Sequence, residues 1–199
     1  MNILKLSTTL FGIFTATAVG TVDGLAQPKV PACIASFCVA NRDVRPEAVI
    51  KALGATTRQE TFRHFHYCYE FPEPSGTIVY GKFEFGNEVL SKVDWRLVSI
   101  DLSKERVCES AHKVPRARAI GTKEGIRIGS READVRRTYG LPIDSSVPSE
   151  ALSASFFGER KVAVDRQLLY DTGRPDDLLG ARIFIRDGTV LLISVFNDE

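Results

Sequence analysis

Apolar residues near the C-terminal end of the chain fall in two runs joined by a tight turn. Residues 181–187 (ARIFIRD) and 189–195 (TVLLISV) are rich in β-branched side chains and meet at the dipeptide Asp187-Gly188. An Asp-Gly pair between such runs is typical of a two-residue β-hairpin turn. Further strand candidates upstream are residues 166–171 and either 155–157 or 161–164. The pattern therefore predicts an antiparallel sheet in this part of the chain.

A short helix is predicted just before these strands, within residues 125–142 (GIRIGSREADVRRTYGLP). Ser130 can cap its N-terminus, two acidic residues suit its first turn, and Gly140 followed by Leu-Pro ends it. Val135 and Tyr139 are four positions apart and so share one face of the helix. A helix of about nine residues is not stable alone, so we expect this face to pack on the sheet.

The first half of the chain repeats this order of elements. Val49 and Gly54 match Val135 and Gly140 at a constant offset of 86 positions, and Pro46 suits the first turn of a helix. Three runs with strand character follow, at residues 62–71, 77–85 and 95–102. We therefore predict an α+β fold of two tandem repeats, each a short helix, or a helical pair, packed on an antiparallel β-sheet of its own.

The first 26 residues have the pattern of an export signal. Lys5 precedes an uncharged, mostly apolar run over residues 6–20, and Ala26 offers a small residue for cleavage. The run of 15 residues is shorter than the roughly 20 that span a bilayer. We expect residues 1–26 to be a signal peptide and the protein to be periplasmic or secreted, with no membrane span in the mature chain. An uncleaved N-terminal anchor is the alternative.

A proline and a cluster of cations suggest how the mature chain is divided into domains. Residues 27–112 form the predicted first repeat, residues 113–124 a linker that contains Pro115, and residues 125–199 the second repeat. Four cations in the linker are typical of a solvated connection. The whole chain has 26 Lys and Arg against 25 Asp and Glu, a balance that excludes a broad basic surface for nucleic acid.

All four cysteines, Cys33, Cys38, Cys68 and Cys108, lie in the predicted first repeat. An even number of cysteines in an exported protein favours two disulfides, and four cysteines allow three pairings. We favour Cys33 with Cys38, which closes a tight loop, and Cys68 with Cys108, which would join two strands. The second repeat has no cysteine, so it depends on packing alone.

The order of motifs in the second repeat resembles a known family. Tyr-Gly-Leu-Pro at residues 139–142 closes the predicted helix, and a strand with Tyr170 precedes the hairpin GARIFIRDGTV at residues 180–190. This order resembles the tandem-repeat fold of secreted β-lactamase-inhibitor proteins and is similar to a small α-plus-sheet module of outer-membrane assembly lipoproteins. The resemblance implies short helices on an antiparallel sheet that offers its other face to a partner. Unlike the inhibitors, this chain has no cysteine in its second repeat.

Aromatic side chains alternate with polar ones along the first predicted strand. Phe65, Tyr67, Tyr69 and Phe71 share one face of residues 62–71, because successive side chains of a strand point to opposite sides. This face is either core, packed under the helix, or a recognition surface of the kind that tyrosines favour. We favour core, which would leave the opposite face open to a ligand.

The polar residues of that opposite face are the candidate binding residues. His64, His66 and Glu70 lie there, and Tyr80 and Trp95 belong to the neighbouring predicted strands. The sequence contains no nucleophile elbow, HExxH helix or phosphate-binding glycine loop. We therefore predict no catalytic residue and no cofactor.

The sequence favours a non-enzymatic protein that binds a protein or envelope component through a sheet face, in an inhibitor-like or accessory role. The alternative is a metal-binding or hydrolytic envelope protein centred on His64 and His66, with Glu70 as a third ligand. Metal retained after purification would favour this alternative, whereas four oxidised cysteines without metal would favour the binding protein.

Overall fold

The structure is a computed structural model of the chain. It describes residues 29–40, 44–60, 64–73, 78–86, 89–98, 110–115, 121–146, 164–172 and 178–198. The elements, in chain order, are β1 (Cys33–Ile34), β2 (Phe37–Cys38), α1 (Pro46–Leu53), β3 (Gln59–Glu60), β4 (His64–Pro72), β5 (Ile78–Gly86), β6 (Val89–Val98), β7 (His112–Lys113), α2 (Glu132–Tyr139), β8 (Asp144–Ser146), β9 (Arg166–Asp171), β10 (Leu178–Arg186) and β11 (Thr189–Asp198).

Nine of these strands form one sheet. Its neighbouring strands are β3, β4, β5, β6, β11, β10, β9 and β8 in that order, and β7 pairs with β4 off this path. The β4–β7 pair is parallel, and the other described pairs of the sheet are antiparallel. The architecture is α+β, as predicted, with a mostly antiparallel sheet and two short helices.

The two sheets expected from the sequence are a single sheet. The last strand of each half meets the other, because β6 pairs with β11 and sets Val93 opposite Val195 and Trp95 opposite Ile193. A separate sheet in each half would leave the outer backbone groups of β6 and β11 unpaired at an apolar edge. Joining the two edges satisfies these groups, so the expectation of a separate sheet for each helix was wrong.

Both helices have eight residues and end at a glycine with positive φ. Gly54 follows α1 with φ 101°, and Gly140 follows α2 with φ 83°. Val135 and Tyr139 are buried, with 0% and 1% of their surface exposed, which confirms that they face the core together.

The predicted cap of the second helix is wrong. The N-cap position belongs to Arg131, which makes no side-chain cap hydrogen bond. The Ser130 hydroxyl instead accepts a hydrogen bond from the Arg127 N–H at 3.0 Å. The short turn before the helix therefore uses the hydroxyl that would otherwise cap it.

The predicted hairpin of β10 and β11 is confirmed, with Asp187 and Gly188 both at positive φ in the turn.

The strand predicted at 95–102 has different bounds, since β6 begins at Val89. A register shift after Glu84 leaves Ser91 as an extra residue, and Leu90 and Val93 are therefore both buried although they are three apart. Such a bulge breaks the alternation that identifies a strand. The strand candidates 155–157 and 161–164 lie outside the described residues, apart from Val164, which is not in a strand.

The core lies between one face of the sheet and the two helices, and the N-terminal hairpin β1–β2 completes it. Ile34, Phe37 and Val39 of this segment are buried, and the Phe37 ring meets the Phe83 ring edge-on with centroids 5.1 Å apart. The Ala35 N–H donates to the Gly121 carbonyl at 2.7 Å. The segment is therefore packed into the core and hydrogen-bonded to the rest of the chain.

The predicted disulfide between Cys33 and Cys38 is present, with an S–S distance of 2.05 Å. Cys68 is also disulfide-bonded, and its predicted partner, Cys108, lies outside the described residues, as do the predicted signal residues 1–26. Within the described segments no helix is long and apolar enough to cross a membrane.

Candidate binding face

The aromatic side chains of β4 belong to the core. Phe65, Tyr67, Tyr69 and Phe71 have 5%, 6%, 0% and 1% of their surface exposed. The Tyr69 hydroxyl donates to the Gly54 carbonyl at the end of α1, at 3.0 Å. These rings therefore hold the helix on the sheet and are not a recognition surface.

The opposite side of β4 and of its neighbours β5 and β6 carries polar side chains. We call this the polar face, and it consists of His64, His66, Glu70, Tyr80, Lys82, Glu84 and Lys92. His64 is exposed and the others are half-buried. Register places Glu70 opposite Tyr80, and places Glu84 between His66 and Lys92. Three adjacent strands thus present one continuous polar array.

Glu70 and Tyr80 are joined across two strands. The Tyr80 hydroxyl donates to Glu70 Oε1 at 2.9 Å. Burial, this hydrogen bond and the negative charge of Glu70 together raise the pKa of Tyr80 to about 12. Tyr80 therefore stays a neutral donor at physiological pH, and both side chains have a fixed position on the face.

Lys82 and Glu84 form the charged centre of the polar face. Their Nζ and Oε2 atoms are 3.0 Å apart, and the side chains are 16% and 23% exposed. Burial raises the pKa of Glu84, but the charge and hydrogen bond of Lys82 and the charges of Lys92 and His64 outweigh it, so the pKa is lowered. The face therefore carries an ionised carboxylate and ammonium groups in a partly dehydrated setting.

The alternative metal ligands do not come together as a site. The strand places His64, His66 and Glu70 on one side, yet no group of three or more His, Cys, Asp or Glu in the described part of the chain could hold a metal ion. The His64 ring lies against Gly86, where an added Cβ would be 3.1 Å from Nδ1. Cys68 is disulfide-bonded and so offers no thiolate.

Trp95 was also a candidate, and the structure describes its backbone but not its side chain. The backbone of Trp95 pairs with Gly81 on one side and with Ile193 on the other.

Sequence reasoning did not single out Lys82 and Glu84 as site residues. The alternation of charged and aromatic residues in Lys82-Phe83-Glu84-Phe85 is the signal that could have identified them.

The same side of the sheet is different in character in the second half. Phe184, Leu192 and Phe196 are buried there, with 3%, 7% and 7% exposure. The Phe196 ring covers Gly180, because a Cβ on that glycine would lie 2.5 Å from Cζ. The Arg182 guanidinium carbon is 4.9 Å from the centroid of the same ring. Among the described residues the charged array is thus concentrated in the first half.

Comparison with known proteins gives no further assignment. No protein-family model, curated protein or solved structure matches this chain.

Proposed function

We propose that this is an exported, non-enzymatic binding protein that recognises a protein or another envelope component through the polar face. The observation that carries the proposal is the division of β4 and β5 into two unlike sides. Apart from Tyr80, their aromatic side chains are in the core. On the other side, Tyr80 is paired with Glu70 and Lys82 with Glu84. A paired, half-exposed array on a sheet favours recognition by another surface.

The fixed pairs favour binding for an energetic reason. Ordering a long side chain at an interface costs about 0.5–1.5 kcal/mol. Tyr80 and Glu70, and Lys82 and Glu84, already hold each other in place, so much of this cost falls on folding instead. The face also carries both signs of charge, which gives specificity for a partner with the complementary pattern.

We further propose that the two halves are tandem repeats, as the family resemblance implies. The first support is the helices, since α1 begins at residue 46 and α2 at residue 132, 86 positions later. Their closing glycines keep this offset, and each accepts a hydrogen bond from a tyrosine hydroxyl. Tyr69 donates to Gly54 at 3.0 Å, and Tyr170 donates to Gly140 at 3.3 Å.

The strands support the repeat at a second offset. β5 and β6 begin at residues 78 and 89, and β10 and β11 begin 100 positions later, at 178 and 189. The register shift between β5 and β6 follows Glu84, and the shift between β10 and β11 follows Phe184, again 100 positions later. A bulge at the same place in both hairpins favours a common origin, because bulges are specific features of a fold.

A third support is the contact between each helix entry and the last strand of its half. The Leu90 N–H donates to the Val44 carbonyl at 3.0 Å, and the Val190 N–H donates to the Ser130 carbonyl at 2.8 Å. These pairs follow the offsets of 100 and 86 positions. In this proposal the first copy keeps a charged outer face for a partner, which agrees with the inhibitor-like or accessory role that the resemblance implies.

The binding role can be tested by capture from envelope extract of the source cells with residues 27–199 as bait. We expect one partner to be retained at near-stoichiometric amounts and to be lost from the double variant Lys82→Glu, Glu84→Lys. Arg137→Glu is the matched control, since its side chain is 75% exposed on α2, and it should retain the partner. Equal capture by the face variant, or stoichiometric metal in the purified protein, would contradict the proposal.

Export has a separate test. We expect the chain to be recovered from the periplasm or medium with Gln27 as its first residue, by intact mass measurement. A mass that includes residues 1–26 would favour the uncleaved anchor.

A further inference from the structure

The sheet edge formed by β8 has an exposed apolar segment. Leu141 and Ile143 are 73% and 52% exposed and are the exposed large apolar side chains of the described residues. They lie between the end of α2 and β8. We call residues 141–146 the edge segment. Isolated exposed apolar residues are ordinary, but these two are close together beside a strand at the limit of the sheet.

The edge segment has a fixed position. The Tyr170 hydroxyl donates to the Gly140 carbonyl just before it, at 3.3 Å. The Ile143 N–H donates to the Leu169 carbonyl at 2.9 Å, and Arg136 Nη2 donates to Ser145 Oγ at 3.2 Å. The exposed apolar side chains therefore stand on an ordered backbone.

Among the described residues, the backbone groups on the outer side of β8 have no strand partner. β8 pairs with β9 and is the last strand of the sheet in the described residues, with no described strand on its other side. A strand directs its N–H and C=O groups alternately to its two sides, so one paired side leaves the other as a template for a further strand.

The opposite edge of the sheet is protected. Arg58 forms an ion pair with Glu60 of β3 at 3.0 Å, and its guanidinium carbon lies 3.6 Å from the centroid of the Phe65 ring. β7 also pairs with β4 on that side. Charges on an edge and short covering strands are the usual means of preventing strand addition. β8 is also short and carries Asp144, but the residues that lead into it expose Leu141 and Ile143, and no described strand covers its outer side.

We propose that the edge segment binds an extended segment of another polypeptide, which adds to β8 as a further strand. Its occupant carries apolar side chains that contact Leu141 and Ile143. It also carries a basic residue facing Asp144, because Asp144 is exposed and has no ion pair with the described residues. Main-chain hydrogen bonds supply affinity in this mode, and side-chain contacts supply specificity.

The size of the patch selects a peptide over a second copy of this chain. Leu141 and Ile143 can together bury at most roughly 200 Å² of apolar surface. A stable interface between two folded proteins needs about 800 Å² from each partner. A short strand needs less surface because its backbone pairs directly with the edge.

This site goes beyond the proposed function and does not depend on it, since it uses the opposite end of the sheet from the polar face. The test is selection of displayed random twelve-residue peptides on residues 27–199. We expect enrichment of sequences with alternating apolar residues and one basic residue. N-methylation of alternate peptide amides should abolish binding for one set of positions and spare the other.

Variants locate the site. Ile143→Lys and, independently, Leu141→Asp should each weaken binding of the selected peptides at least tenfold while circular dichroism stays unchanged. Asp144→Lys should reverse the preference at the basic position. Ala55→Lys adds a charge at the exposed residue 86 positions before Leu141 and should leave binding within twofold, as should the Lys82→Glu, Glu84→Lys variant.

Three results would overturn the proposal. The first is no enrichment over an unrelated immobilised protein. The second is equal binding of the selected peptides to Ile143→Lys and Leu141→Asp. The third is a dimer in sedimentation equilibrium that Ile143→Lys dissociates, which would make a second copy the occupant.

Discussion

At the residue scale, one tyrosine hydroxyl from the sheet bonds to the end of each helix: Tyr69 donates to Gly54, and Tyr170 donates to Gly140. Tyr69 and Tyr170 are fully buried, and burial raises the pKa of each to about 12. Both therefore remain neutral donors across the physiological range. Each satisfies a carbonyl just beyond the end of a helix, where backbone acceptors lack intrahelical partners.

Tyr69→Phe and Tyr170→Phe should each lower the free energy of unfolding by about 1 kcal/mol, because each leaves a helix-end carbonyl without its donor. Urea denaturation followed by circular dichroism measures the change. The double variant should lose about the sum, since the two bonds share no partner. A loss confined to one variant would count against the equivalence of the two halves.

The lowered pKa of Glu84 predicts that the free energy of unfolding decreases in acid. Folding lowers its pKa from the ordinary value of 4.5. Its stabilisation is therefore complete above pH 4.5 and is lost as the pH falls from there through the lowered pKa. Glu84→Gln should cost about 1 kcal/mol at pH 7, and the gap to the unchanged protein should close in acid.

Urea denaturation of both proteins between pH 7 and pH 3 tests this prediction. Glu47→Gln, which changes an exposed carboxylate of α1, serves as the control and should cost less. A gap that stays constant over this range would show that the Lys82 pair does not favour the ionised form of Glu84.

At the element scale, each helix ends because a glycine takes a backbone conformation that side chains oppose. Gly54 has φ 101° and ψ 161°, and Gly140 has φ 83° and ψ −158°. This region is almost restricted to glycine and costs other residues about 1–3 kcal/mol. The two glycines differ in their surroundings, because an added Cβ would lie 2.6 Å from His112 Nε2 at Gly54 and would meet nothing within 4 Å at Gly140.

Gly140→Ala should therefore lower stability by about 2 kcal/mol from backbone strain alone, and Gly54→Ala should lower it further through the contact with His112. The double variant Gly54→Ala, His112→Ala should recover the steric part, as a double-mutant cycle with His112→Ala would measure. Equal losses at the two glycines with no coupling to His112 would contradict this account.

At the scale of the whole molecule, one sheet joins both halves. The β6–β11 pair forms the junction, with Val195 at 0% exposure opposite Val93. The halves share backbone hydrogen bonds and a single apolar core. A structure joined in this way should unfold in one transition rather than half by half.

Fluorescence of Trp95, the single tryptophan, and far-UV circular dichroism should therefore report the same urea midpoint. Val195→Asp should lower both midpoints together and reduce the free energy of unfolding by at least about 3 kcal/mol, because it buries an unpaired charge in the junction. Leu141→Asp introduces the same group at an exposed position and should cost less than about 0.5 kcal/mol. Two separate transitions would contradict a shared core.

Local pattern was sufficient for much of the fold. The periodicity of Val135 and Tyr139, the closing glycines and the Asp187-Gly188 turn identified both helices and the main hairpin, since each signal involves neighbours in the chain. The Cys33–Cys38 disulfide could also be predicted, because its two cysteines are only five positions apart. The elements that sequence reasoning missed, β1, β2, β3, β7 and β8, have two or three residues, too few to show a period.

The longer elements and the two sides of β4 follow from the sequence alone, because alternation assigns Phe65 and His64 to opposite faces wherever the strand lies. Which side is core, the pairing of β6 with β11 and the identity of the strands at the two limits of the described sheet are evident only in the tertiary structure. Those outcomes depend on contacts between residues about 100 positions apart, such as Val93 and Val195. No local pattern encodes them, since pairing is chosen by the free energy of the whole assembled sheet.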